Sequence, residues 1–463
     1  MTPELQVGGG AGGAPADPLA AAGGLRAFGA RLRDGSLTAE AATLAYLDRI
    51  AAFDGRIQAF RTVDRARAVA EARALDRQRR SGVDLGPLMG VPVAVKEIFA
   101  IDGLPYGAGT DLDLTDIAPP QGPFITRLRA AGCVVLGTTR TTEFAAATIN
   151  VDKPMPWNPA DMAVKRVCGG SSHGSAAAMR AGLCAFSVGS DTGGSVRLPA
   201  ALCGVVGYKS TAGAWPTQGV FALSPTLDSV GIFTRSTDDA ALVHAALELK
   251  DEAAPSPRSL TLGRPRNYAF DGLDAPVRQA VEAALTRLST AGVAIVEIDT
   301  PDVAALMPDF ATLLFGEFVA AMGRERLAAG KGSIDRVPWG RIEAAFAITP
   351  AQIEAARASH RRATESATAM MAGVDALVYP TAPLVAAAAA EVSSYEASAA
   401  WNLRAGRLTR PGNFFGQCGL TVPVEMPGDL PVGLQLIGKP NDDLHLIAVA
   451  RTVEAVVRRR ADP

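Results

Sequence analysis

The chain has 463 residues, 48% of them hydrophobic and 20% charged, which excludes a wholly disordered protein and leaves the domain count open. With 45 basic against 47 acidic residues the formal charge is −2, so no global field draws it to nucleic acid or to an anionic membrane. Five cysteines, an odd number with no C-x-x-C pair, predict free thiols in a reducing compartment, read as the cytoplasm, with no metal site.

Residues 1–25, rich in Gly, Ala and Pro, lack a basic leader and an apolar stretch, and are expected to be a disordered arm before a single domain over 26–463. No apolar run is read as reaching the roughly 18 to 20 residues needed to span a bilayer. From Ser36 the spacing of Leu44, Leu47 and Ile50 predicts an amphipathic helix capped by Thr38, and a second, surface helix runs to about Arg80.

Three later stretches repeat one order: helix, glycine stop, short β-branched strand. They end at Gly137, at Asp299 and in DALVYP at 375–380. Helices alternating with such strands predict an α/β fold, a parallel or mixed sheet covered on both faces. Between Cys168 and Gly207 the chain becomes dense in Gly, Ser and Ala, the texture of a long loop where backbone approaches a ligand closely. The polar stretch 250–258 reads as a surface connection.

Three motifs carry chemistry. In GVPVAVKE, Val91, Val93 and Val95 alternate along a strand that ends at Lys96, one of seven lysines in the chain. A lysine held among apolar residues loses hydration, which lowers its pKa and frees the amine as a base; arginine could not do this. In GSDTGGSVR, Gly193 and Gly194 let successive N–H groups turn toward one point beside Ser195, a cradle for a developing oxyanion next to a nucleophile. In CGGSSHGS, Ser171 supplies a hydroxyl able to pass a proton between the two, with helix capping as its ordinary alternative.

These residues sit in a set of segments that resembles the amidase-signature family: GVPVAVKE (90–97), TTEFA (141–145), GGSSHGSAAA (169–178), GSDTGGSVRLPAALCGVVGYK (189–209), LDSVGIFTRS (227–236), DALVYPTAP (375–383) and LPVGLQLIGKP (430–440). The resemblance covers most of the span from about 30 to 455, in the family's order. It implies an α/β/α sandwich around a mixed, mostly parallel sheet, and an amidase with a Ser-cisSer-Lys triad and no cofactor: Ser195 as nucleophile, Ser171 as the serine after a cis peptide, Lys96 as base. It further implies an oxyanion hole from the amides of Thr192, Gly193, Gly194 and Ser195, supported by Ser172 and by an Asp191–Arg197 charge pair. Departures are His173-Gly174 where the family often has Gly-Gly, Cys168, Arg140, and Ser190 for a common threonine.

Met155, Trp157, His173, Trp215 and Phe221, with Phe315 and Phe318, are the expected pocket residues, which favours a small hydrophobic or aryl amide and leaves carbamates (urethanes) and esters in scope. The expected partner is a small-molecule substrate, with a homodimer admitted. Three competing readings remain. One is the glutamine-hydrolysing component of a tRNA-dependent amidotransferase, against which stands STAGAWPTQGVFALSPT after Lys209. Another is a G-x-S-x-G elbow at 170–174 with Ser172 as nucleophile and His244, His360 or His445 as partner. The last is a non-catalytic binding protein.

Overall fold

The computed structural model describes residues 15–252, 259–424 and 430–458. Eleven strands form one sheet: Phe60–Val63 (β1), Pro92–Lys96 (β2), Val134–Thr139 (β3), Phe186–Ser190 (β4), Val206–Lys209 (β5), Val230–Thr234 (β6), Thr261–Pro265 (β7), Ala294–Ile298 (β8), Ala376–Pro380 (β9), Gly419–Val424 (β10) and Val432–Ile437 (β11). Their spatial order is β1-β3-β2-β4-β6-β5-β10-β11-β9-β7-β8. Every residue of β2 to β6 and of β9 to β11 is buried, so helices and loops cover both faces of the sheet, while β1, β7 and β8 keep exposed positions.

The sheet is mixed, as expected, but it is not mostly parallel. Only β2–β3, β2–β4, β7–β8 and β7–β9 pair in parallel, and the other six pairings are antiparallel. Parallel pairing requires a crossover, which the helix–strand units of the flanks supply, whereas the central run β4-β6-β5-β10-β11-β9 alternates in direction.

Local signals acted as the sequence implies. Thr38 caps the helix Ala39–Ile57 by accepting from the Ala41 N–H at 3.1 Å. The surface helix is Arg65–Arg80, and between the two lies β1, an edge strand that the alternating charges conceal. The glycine-rich stretch 168–207 is not one loop. It holds the helix His173–Arg180, β4 and the helix Arg197–Cys203, and the glycine and serine turns between them.

Two further expectations need correction. Residues 15–25 are not an arm: Asp17 caps the helix Pro18–Ala22 and pairs with Arg235, Leu19 and Leu25 are buried, and Arg49 donates to the Pro15 carbonyl. Residues 1–14, and 253–258 of the expected connection, lie outside the described residues. The helix Val303–Met322, with a mean hydropathy of 1.5, is long and apolar enough to cross a membrane by length and composition. Pro308, Asp309, Gly316 and Glu317 interrupt its apolar run in sequence, which hides that property. Its residues Phe310 and Leu313 pack in one apolar cluster and Phe318 in another, and Glu317 is held by Ser224, Thr226 and Arg357. All five cysteines are buried and free.

Candidate active site

β2 and β4 are parallel neighbours, in register from Val93↔Phe186 to Val95↔Val188, so the residues that end them, Lys96 and Ser190, leave the sheet side by side. Carboxyl ends of adjacent parallel strands are where α/β proteins gather functional groups. Lys96 is fully buried, and its Nζ donates to Ser171 Oγ at 2.7 Å and to Ser190 Oγ at 2.9 Å. Burial pushes the Lys96 amine down to about 7, against the opposing pull of Asp228, Asp191 and Glu97. The amine therefore exchanges its proton near neutral pH.

Ser171 follows a cis peptide bond with Gly170 and is itself fully buried; its carbonyl accepts from the Thr142 N–H at 3.2 Å and from Thr141 Oγ1 at 3.3 Å. The Ser172 N–H donates to the Ser195 carbonyl at 3.2 Å, which ties the turn carrying Ser195 to the segment carrying Ser171. Ser195 and Gly193 are half-buried, whereas Lys96, Ser171 and Ser190 lie beneath them. Ser195 is the accessible serine of the three, and among the described residues no hydrogen bond joins its Oγ to Lys96, Ser171 or Ser190.

Asp191 organises the turn. Its carboxylate accepts from the N–H groups of Gly194 (2.8 Å), Val196 (3.1 Å) and Arg197 (3.3 Å), from Asn413 Nδ2 (2.9 Å), and from the Arg197 guanidinium at 3.0 and 3.1 Å. Burial alone would raise its pKa, but Arg197 outweighs burial and holds the carboxyl well below the usual range. Arg197, fully buried, reaches on to Gln435 Oε1 at 2.8 Å and Asn413 Oδ1 at 2.6 Å. The Gly194 N–H is thus spent on Asp191, which corrects its expected place among the oxyanion donors: a carboxylate three residues earlier reaches it first. Thr192 Oγ1 donates to Asp228 Oδ1 at 2.5 Å, and Asp228, pushed up to about 6 by burial, is fixed by the Leu223 and Ser224 N–H groups.

Gly194 has φ +120°, and a Cβ there would sit 1.9 Å from Thr409 Oγ1. Gly194→Ala is expected to cost on the order of 3 kcal/mol of stability and at least about tenfold in turnover, read by thermal melting and initial rates; a variant matching wild type in both would show that the turn tolerates displacement.

The elbow reading loses its parts. Ser172 Oγ is bound to the Ser190 carbonyl at 3.2 Å, His360 Nδ1 to the Phe414 carbonyl, and His445 Nε2 to Asp375, while His244 stacks on Trp215. His173 is buried close to Lys96; burial, then the lysine's charge, push its pKa down to about 3, and its Nε2 has no hydrogen-bond partner among the described residues.

A cavity of about 400 Å³ abuts the glycine turn: Phe310 and Arg410 line it, and a Cβ on Gly193 would meet Phe310 Cζ at 2.9 Å and Arg410 Cγ at 3.7 Å. Its other walls include Met307, Leu314, Phe315 and Arg341. Of the expected pocket residues Phe315 lines it, and Met155, Trp157, His173, Trp215, Phe221 and Phe318 do not. Trp215 is wedged against Phe124 and Tyr208 with its Nε1 on Glu248; Trp157 carries Arg56 over its ring at 4.3 Å; Met155 packs on Ile149, Val167 and Val392. Phe221 and Phe318 pack with Phe144. Sequence reasoning missed Ser190 as a partner of Lys96, and Asp228, Thr409, Asn413, Gln435, Arg341 and Arg410. Ser190, Asp228 and Gln435 lie inside the motifs quoted above; the others carry no local signal.

Comparison with known proteins gives first the class. The solved structure of the peptide amidase from Stenotrophomonas maltophilia shares the fold at a TM-score of 0.79 and 29% identity, over 95% of this chain and 98% of that one. A protein described as 2-amino-5-chloromuconic acid deaminase, from Comamonas testosteroni, is 35% identical over 440 residues, 92% of this chain and 95% of its own length. A component of the glutamyl-tRNA(Gln) amidotransferase of Salinispora arenicola (strain CNS-205) is 34% identical over 471 residues, 91% and 95% of the two chains. The chain is a hydrolase of amidase type. The family model described as Amidase matches residues 41–447, and the chain belongs to that family, the amidase-signature enzymes.

Proposed function

We propose that this hydrolase cleaves the C–N bond of a small amide with Ser195 as nucleophile, Ser171 as proton relay and Lys96 as base. The observation that carries the reading is the buried Lys96 Nζ–Ser171 Oγ hydrogen bond of 2.7 Å, made by an amine whose pKa is near 7. Neutral Lys96 takes the Ser171 proton as Ser171 takes that of Ser195, and Ser195 Oγ bonds to the carbonyl carbon. The oxygen that gains charge is met by the N–H groups of Thr192, Gly193 and Ser195, held in place by Asp191 and Arg197. The proton returns through Ser171 to the leaving nitrogen, the C–N bond breaks, and water then attacks the acyl-enzyme while the same relay accepts its proton. Carbamates and esters suit the same steps.

The single folding unit is proposed to start before residue 26, because the sheet and the helices from Pro18 onward pack together. The relatives that serve tRNA-dependent amidotransferases keep a second reading in view, and the segment after Lys209 speaks against it. Purified chain, alone, is expected to hydrolyse a chromogenic anilide with simple saturation kinetics. Glutaminase activity that arises only when the other amidotransferase components are added, with no anilide turnover, would reverse the choice.

A further inference from the structure

The cavity beside the glycine turn is lined by two arginines and, among the described residues, by no carboxylate. Arg341 comes from the helix Arg336–Ala345 and Arg410 opens the helix Arg410–Phe414; both line the cavity, whose remaining lining is apolar apart from Thr312. Arg410 donates one N–H to the Asn402 carbonyl at 3.1 Å, and among the described residues neither arginine forms an ion pair. That sets them apart from Arg197, which is buried a few residues away in sequence from its partner Asp191 and is fully matched by acceptors.

Burial lowers the pKa of both groups, and for Arg410, pushed down to about 10, the neighbouring Arg341 charge adds to the effect. Two like charges kept together in an apolar recess oppose stability unless an anion joins them. The planar fork of arginine matches a carboxylate in shape and supplies paired N–H donors. Phe310, Leu314 and Phe315 line the same cavity and offer apolar surface suited to a hydrocarbon or aryl group.

We propose that Arg341 and Arg410, which line the cavity adjoining the glycine turn, bind a carboxylate carried by the acyl part of the substrate, so that the preferred substrates are monoamides of dicarboxylic acids. This rests on the reading of Ser195 as the nucleophile and of the adjoining cavity as the acyl pocket. It also modifies the expectation of a small hydrophobic or aryl amide: the lining is apolar apart from Thr312 and the two arginines.

The test compares three p-nitroanilides of one chain length: the monoanilide of adipic acid, its methyl ester, and the 6-aminohexanoic anilide. The acid is expected to exceed its methyl ester in kcat/KM by at least about tenfold in wild type, mainly through KM. Arg341→Met is expected to bring that ratio to within about threefold of one, Arg341→Lys to keep part of it, and Arg341→Glu to shift preference toward the amino compound. Equal rates on acid and ester by wild type, or a preference that survives Arg341→Met and Arg410→Met, would overturn the anion site while leaving the hydrolase reading intact. If none of the three is hydrolysed, the nucleophile assignment is at fault, and calorimetry on wild-type protein decides the site separately. Binding of adipic monoanilide but not of its methyl ester supports the carboxylate site; equal binding, or none, rejects it.

Discussion

Ser195→Ala is expected to lose turnover of any accepted amide by on the order of 10⁴-fold or more, with an unchanged fold. The reason is positional. Ser195 is the one hydroxyl of the cluster at the accessible surface of the glycine turn, while Ser171 and Ser190 are buried and bound to Lys96. Alanine removes a single oxygen and leaves intact the Asp191 contacts to the Gly194, Val196 and Arg197 amides, so circular dichroism and melting temperature should hardly move. Rapid-quench mass spectrometry of wild type should find an acyl adduct on Ser195, absent from the variant. Near-normal rates in Ser195→Ala, with the adduct on another serine, would remove the foundation of the mechanism.

Lys96→Met should cost about 10³-fold in kcat/KM, and it should do so while stabilising the protein at low pH. In wild type, kcat/KM is expected to climb with pH through an apparent value near 7, because only the unprotonated amine accepts from Ser171. The stability effect has the same origin. The folded-state amine titrates near 7 and the unfolded one near 10.5, so between these values the unfolded chain holds the extra proton and wild-type stability rises with pH. Below 7 both states are protonated and the penalty for a buried charge is present in full, on the order of a few kcal/mol. Methionine removes that penalty and forfeits two hydrogen bonds, so the variant's advantage is largest below pH 7 and shrinks toward pH 10. Urea unfolding across this range reads the sign directly. An advantage that grows with pH, or an acid limb that persists unchanged in the residual rate, would assign the titration to another group.

Part of the candidate site was legible in sequence because three short motifs concentrate what acyl transfer needs: a rare lysine after an alternating valine strand, a double serine, and a glycine pair before a third serine. Their meeting in space was not written locally. Ser190 joins Lys96 only because β2 and β4 run parallel and in register, a relation between strands some ninety residues apart. The Gly194 amide looked free from its spacing, yet the side chain of Asp191 folds back on it. Pocket residues were the least legible part. Trp215 and Phe221 stand out as aromatics downstream of the motifs, and both are consumed by core packing, whereas the cavity is lined by ordinary-looking positions of the helices Val303–Met322 and Arg336–Ala345. The sheet is readable from its flanks, where each strand follows a helix, and that overstates its parallel character.

The contacts of Arg197 bear on the order in which the molecule matures. This side chain, fixed to Asp191 nearby, takes its remaining acceptors from Asn413 and from Gln435 on β11, more than two hundred positions later. A nascent chain that has emerged only through its middle third carries Lys96, Ser171 and Ser195 but lacks the far acceptors of Arg197. Contacts so distant along the polymer form late, after much loop entropy has been lost. A polypeptide that stops before β11 lacks Gln435 and so leaves one N–H group of the buried Arg197 guanidinium without its acceptor.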